Sequence, residues 1–332
     1  MNSIWQAFIE DQEQVSSSMD IACAKINLGY LGLIKISGED KQTFLQGQLT
    51  NDTRNINESS SQLSSYCTPK GRMLANFRIF QSGEDWYLII PANRLDVVLK
   101  RLKMFVLRSK VTIEDASDDM VAIGLIGDCI SEKLDVNLPD SADAVTEADG
   151  VSYIKVSAAQ SRYLCVGPAE NLKQLWSSLD SIDNANEEKW RLEDIRAGIP
   201  TVFEDTEEAF IPQMTNLQLL NGVSFTKGCY TGQEVVARMQ YLGKLKRRMY
   251  PVSFESEQPV GIGADVFSAS SQSGQGAGKI VDVVSTGDNR YEGLAVLEIN
   301  QLEEGNSFQL IDNDGPVLHV SAPPYEFEVD DK

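Results

Sequence analysis

The chain has 332 residues, 42% of them hydrophobic and 23% charged, with a formal net charge of −20. That length supports two or three domains with cores of their own, and the composition is that of a soluble globular protein. The acidic balance repels polyanions over most of the surface, and no apolar run approaches the ~18–20 residues of a spanning helix, so general nucleic-acid binding and membrane partners are both disfavoured.

The opening MNSIWQAFIEDQEQ is acidic and lacks the basic and apolar regions of a secretory signal, which points to the cytoplasm. The first two-thirds of the chain mixes strands and helices. LIKISGEDKQTFL (33–45) and VAIGLIGDCISEKL (121–134) each read as a strand, a glycine and a helix-like stretch. YLIIPANRLDVVLKRL (87–102) and YLCVGPAENLKQLWSSL (163–179) each read as a strand, a Pro-Ala pair and apolar residues at helical spacing. Two related α+β units, each running strand–helix–strand–helix, account for the match. The run Arg94–Lys110 pairs an apolar helical side with a mostly basic one; a solvated face or an anion-docking surface would both explain it.

From Met249 onward, short β-rich segments alternate with Gly, Asn, Asp and Pro turns, which predicts a small antiparallel barrel or sandwich. The boundary falls at the basic run KLKRR (244–248). GQGAGK (274–279) lacks the spacing of a phosphate loop and leads into a strand, so a hairpin turn is expected.

The chain holds one histidine, His319, in a strand-like stretch, so multi-histidine metal sites are excluded and no resident metal is expected. Its five cysteines, Cys23, Cys67, Cys129, Cys165 and Cys229, are scattered without a CxxC pair, a pattern that suits reduced thiols. Cys229 stands apart. In KGCYTGQE (227–234) it lies between glycines, two residues from Lys227. Thr231 and Glu234 have capping-box spacing, so a helix is expected to start at Gly232, with Val235, Val236 and Met239 on its apolar side and Arg238 on its polar side. A helix N-terminus and a nearby ammonium would both favour thiolate. A tight turn with an incidental cysteine fits the spacing equally well.

KGCYTGQE resembles the KGCYxGQE motif of the YgfZ family, folate-binding proteins linked to tRNA modification and iron–sulfur enzyme maintenance. FLQGQLTND (44–52), SKVTI (109–113), WRLEDIRAGIP (190–200) and FIPQMTNLQLLNGVSFTKGCYTGQE (210–234) extend the resemblance in the family's order. It implies an α+β fold like the glycine-cleavage T-protein: a cloverleaf of two related α+β domains and a C-terminal antiparallel β-barrel around a folate channel. On that basis residues 1–115 form a folate-binding domain, open to segment exchange with the second; 116–245 form the domain carrying KGCYTGQE; and 246–332 form the barrel.

The resemblance further implies that Cys229 is the functional thiol, with Lys227 stabilising its thiolate and Gly228, Tyr230, Thr231, Gly232, Gln233, Glu234 and Arg238 completing the motif. Trp190 is expected against the flat rings of a reduced folate. A second family tryptophan aligns with Leu31, beside Tyr30. Arg196 stands where a glutamate is usual in the wider folate family; it can only donate, whereas a carboxylate suits a pterin's N–H groups. T-proteins carry an aspartate pair where this chain has Ala75 and Asn76, neither of which can serve as a carboxylate base, so aminomethyl transfer is not expected. The implied cofactor is tetrahydrofolate or a derivative and the implied partners are iron–sulfur enzymes; the net charge of −20 points to an indirect contact with tRNA. Nothing is implied about oligomeric state. A folate-dependent one-carbon transferase and a direct tRNA-binding module, using Lys244–Arg248 and Arg94–Lys110, are the alternatives.

Overall fold

Pro91 and Pro168 each end a strand and cap a helix, and the computed structural model is organised around these two junctions. It describes residues 2–12, 15–271 and 276–327. Pro91 caps Ala92–Met104 with φ −53°, and Pro168 caps Ala169–Ser178 with φ −56°, close to the angle a pyrrolidine ring imposes. Each helix packs its apolar stripe, Leu95, Val98 and Leu102 in one and Leu172, Leu175 and Trp176 in the other, against its own sheet. The expected repeat is therefore structural.

The first sheet has the order Gln62–Cys67, Met73–Ser82, Asp85–Pro91, Leu31–Ser37, Thr112–Asp115. The second runs Val145–Ala148, Val151–Lys155, Arg162–Pro168, Met120–Ile126, Ala24–Asn27, Asp183–Ala185. In both, the strand before the proline pairs antiparallel with the strand that opens the unit. The next neighbours are exchanged. Ala24–Asn27 precedes the first unit in the chain yet pairs with Met120–Ile126, while Thr112–Asp115 precedes the second and pairs with Leu31–Ser37. Gly38 (φ +104°) and Gly127 (φ +107°) sit at equivalent crossings, where a Cβ would strike the Lys110 and Ala22 carbonyls.

The third sheet, a half-barrel, has the order Gln309–Leu310, Asp265–Phe267, Gly278–Gly287, Arg290–Glu298, Arg247–Glu255, His319–Val320. A bridge between Gln309 and Val317 draws its two edges together. Ala277 and Gly278 lead into a strand paired with Asp265 and Val266, as expected of a hairpin and not a phosphate loop; Gly274 and Gln275 lie outside the described residues. The helix Glu187–Arg196 joins the units: Leu192 and Ile195 enter a core shared with Val281, Leu294 and Val296 of the half-barrel, while Trp190 packs toward the second sheet.

Two expectations change. Cys23 and Cys129 form a disulfide, so the five cysteines are not all reduced; the pairing joins residues 106 apart in sequence and follows from the strand exchange, which spacing alone could not reveal. Arg94 belongs to the core, not to a basic face. Its Nε donates to Leu74 O at 3.0 Å and its guanidinium pairs with Glu207 at 2.8 Å. Among the described residues, no helix is long and apolar enough to cross a membrane.

Candidate functional site

The segment FLQGQLTND supplies the cradle for the thiol turn. Thr50 O accepts from Ser224 N (3.0 Å), Thr50 Oγ1 donates to Gly222 O (2.9 Å), and Asn51 Nδ2 donates to Asn221 O (2.6 Å). These bonds fix residues 221–224 against the first sheet, although chain order places them after the second. Lys227 continues the clamp. Its Nζ donates to Leu49 O (2.6 Å) and Asn51 O (2.7 Å) and lies 5.1 Å from the Tyr230 ring centroid.

The ammonium expected to stabilise a thiolate is thus turned inward and only 6% exposed, because a buried charge must take the available carbonyls. Burial lowers the Lys227 pKa from 10.5 to about 8. Between those values the folded state has shed a proton that the unfolded chain still holds, so the stability from this group rises with pH. The wild type will therefore gain thermal stability over Lys227→Met as the buffer moves from about pH 8 to about pH 10, read by calorimetry.

Cys229 projects from this anchored turn into solvent, and a Cβ at Gly228 would meet nothing within 4 Å, so a partner can approach the thiol closely. The helix that follows is Gln233–Tyr241, one residue later than predicted. Its cap is Gly232 at φ +85°, and the Thr231–Glu234 capping box does not form. The left-handed glycine is required because this turn docks on the Thr68–Gly71 hairpin, where a Cβ would strike Thr68 O. Thr231 consequently lies outside the cap. Val236 is buried with Met73 and Leu217, while Glu234 and Arg238 face outward. The other free thiols, Cys67 and Cys165, are buried and pushed up by burial, Cys67 to about 12.

A cavity of about 820 Å³ lies between the first sheet, loops of the second unit, the helix Glu187–Arg196 and the C-terminal segment, lined by Arg78, Asp143, Lys189, Glu193, Arg196 and Tyr325 among others. Most of its charges are paired. Arg78 bonds Asp143 and Ser61, Lys189 Nζ donates to Glu193 (2.9 Å), and Arg196 forms two bonds to Glu292 (3.0 and 2.7 Å). Gly198, φ +66°, ends the helix Glu187–Arg196 and admits the Tyr325 ring, whose hydroxyl donates to Gly198 O at 2.9 Å.

Trp190 does not line this cavity. It is 3% exposed, packed between Gly124 and the Arg162 guanidinium, which lies 4.8 Å from its ring centroid. Tyr30 packs on Phe203, centroids 6.4 Å apart, and burial beside Asp194 and Asp282 holds its phenol well above the ordinary range. Leu31 lines a separate cavity of about 210 Å³ with Leu95. The aromatic wall that sequence reasoning missed is Tyr325, which nothing local marks. Ala75 is fully buried, and Asn76 clamps the chain after the helix Glu187–Arg196: its amide donates to Pro200 O and accepts from Val202 N, both at 2.7 Å.

Two exchanged α+β units and a half-barrel around a common cavity define the aminomethyltransferase fold. The glycine cleavage system aminomethyltransferase T from Bartonella henselae superposes with a TM-score of 0.72 over 91% of this chain and 85% of that one, at 14% identity. Among curated proteins, the tRNA-modifying protein YgfZ of Yersinia enterocolitica is 31% identical over 95% of this chain and 96% of its own length. The YgfZ protein of Klebsiella pneumoniae is 32% identical over 95% and 97%, and that of Colwellia psychrerythraea 36% over 70% and 72%. The chain belongs to the YgfZ family. No family model matches it.

Proposed function

We propose that this protein is a cytoplasmic folate-binding factor that supports tRNA modification and the assembly or repair of iron–sulfur enzymes, with Cys229 as its working thiol. The observation that carries the reading is the contrast among the free cysteines. Cys67 and Cys165 are sealed in cores, whereas Cys229 stands exposed on a turn held rigid by Lys227, Thr50 and Asn51. Rigid anchoring of a bare nucleophile suits a thiol that meets an incoming partner or transiently holds its cargo.

The central cavity fits a reduced folate by size, since ligand pockets span about 300–1,000 Å³. Tyr325 offers a flat wall for a ring, Asp20, which has no ion pair among the described residues, offers an acceptor to pterin N–H groups, and the half-exposed Arg196 would meet a glutamate carboxylate by exchanging it for Glu292. A bound folate would supply one-carbon chemistry. Ala75 and the engaged Asn76 provide no carboxylate for aminomethyl transfer, which favours a binding or sensing role over the transferase alternative.

Calorimetric titration of tetrahydrofolate tests the cofactor. Binding should weaken at least about tenfold in Tyr325→Ala, a loss of about 1.4 kcal/mol, and stay at the wild-type value in Cys229→Ser. Absence of binding to the wild type would overturn the folate assignment.

A further inference from the structure

The basic run Lys244–Arg248 is split by strand alternation as it enters Arg247–Glu255. Arg248 turns toward the C-terminal segment, its guanidinium 4.3 Å from the Phe327 ring centroid. Arg247 turns the other way, donating to Gly276 O (2.6 Å) and pairing with Glu298 (3.3 Å). It enters a cleft of about 590 Å³ that Arg72, Lys246 and Lys279 also line. These four cations arrive from three separate segments: a hairpin of the first sheet, the start of the half-barrel, and the strand Gly278–Gly287.

Glu298 is the one carboxylate in that lining. Lys279 also reaches Asp265 at 2.6 Å, outside the cleft wall. Arg72 is fixed by the Ala209 and Glu208 carbonyls, which orient the guanidinium without neutralising it. Lys246 is exposed, and no ion pair among the described residues engages its ammonium. Two of the four cations, Arg72 and Lys246, thus keep charges that no ion pair among the described residues offsets, on a chain whose net charge is −20.

The cleft adjoins the thiol turn. Gly71, next to Arg72, packs on Val235 and Gly232, and Gln213 Nε2, next to the lining residue Met214, donates to Val236 O at 2.6 Å. We propose that this cleft docks the phosphodiester backbone of an RNA strand and holds it beside Cys229. The inference rests on RNA modification as the protein's task, and it replaces the indirect contact that net charge alone suggested. A planar arginine fixed by carbonyls, a second shared with Glu298 and a lysine with no ion pair are suited to successive phosphates, and the volume exceeds what a lone phosphate needs.

Fluorescence anisotropy of an unmodified tRNA transcript with the full-length protein tests it, from about 50 to about 200 mM salt. Lys246→Glu should raise Kd roughly tenfold at the low-salt end, and Lys279→Gln should weaken binding while lowering the salt slope by about 1. Circular dichroism should be unchanged in Lys246→Glu. Lys100→Glu/Lys103→Glu, on the chain's other basic face, should bind as the wild type does, and so should Cys229→Ser. Failure of the wild type to bind, wild-type affinity in Lys246→Glu, or an equal loss in the Lys100/Lys103 variant would overturn the proposal. So would displacement of the transcript by inorganic phosphate at matched phosphate concentration, or by polyglutamate more readily than by unlabelled RNA. If Cys229→Ser retains full activity in cells while Lys246→Glu loses RNA, the thiol reading fails and the cleft stands; the reverse pattern removes the cleft alone.

Discussion

Cys229→Ser will melt within about 1 °C of the wild type and yet fail to complement a strain lacking the protein. Stability is unaffected because the thiol is exposed and the turn's bonds come from neighbours: Lys227 to Leu49 and Asn51, Ser224 to Thr50, and Gly232 against the Thr68–Gly71 hairpin. Surface changes of this kind fall within about ±0.5 kcal/mol. Function is lost because an alcohol is neither a soft ligand nor, at neutral pH, a nucleophile comparable to a thiolate. Iodoacetamide should label Cys229 in the native protein and leave Cys67 and Cys165 unmodified, since both are buried with thiols pushed up by burial. Complementation by Cys229→Ser at wild-type efficiency would remove the thiol from the mechanism.

Much of the fold could be read locally. The two Pro-Ala junctions, the helical stripes behind them and the β-rich tail after Met249 depend on periodicity and turn chemistry, which act over a few residues. The strand exchange could not be read this way. Ala24–Asn27 and Thr112–Asp115 are short, and nothing within them states which sheet edge they will join; the crossings at Gly38 and Gly127 appear only once both sheets exist.

The site depends on the same kind of long-range contact. The Thr231–Glu234 spacing favours a capping box, but docking on the Thr68–Gly71 hairpin makes Gly232 the cap. Lys227 lies two residues from Cys229 in sequence, yet carbonyls of Leu49 and Asn51 outcompeted any local use of its charge. Trp190, expected against a folate ring, is packed between Gly124 and Arg162, and the aromatic residue in the cavity lining is Tyr325. In each instance a long-range contact decided the role of a residue whose presence was locally evident.

Among the residues that pack behind the cavity wall, Asp194→Ala should be the most destabilising single change, lowering stability by about 3–5 kcal/mol. Arg162 is fully buried. Its guanidinium donates to Asp194 (2.6 Å) and Ser157 O (3.0 Å) and lies over the Trp190 ring, pinning the helix Glu187–Arg196 to the second sheet. Removing the carboxylate leaves that charge without its ionic partner in the core, where desolvation is no longer offset. Arg162→Met/Asp194→Leu should recover most of the loss, because both charges leave together. The same helix carries Lys189, Glu193 and Arg196 to the cavity, so tetrahydrofolate affinity should fall in Asp194→Ala along with stability. Iodoacetamide labelling of Cys229 should keep its wild-type rate, since the thiol turn is anchored on the first sheet. A variant that melts like the wild type would show that the ion pair does not hold the helix. A change in Cys229 labelling would show that cavity and thiol are mechanically coupled, which the separate anchoring of the two argues against.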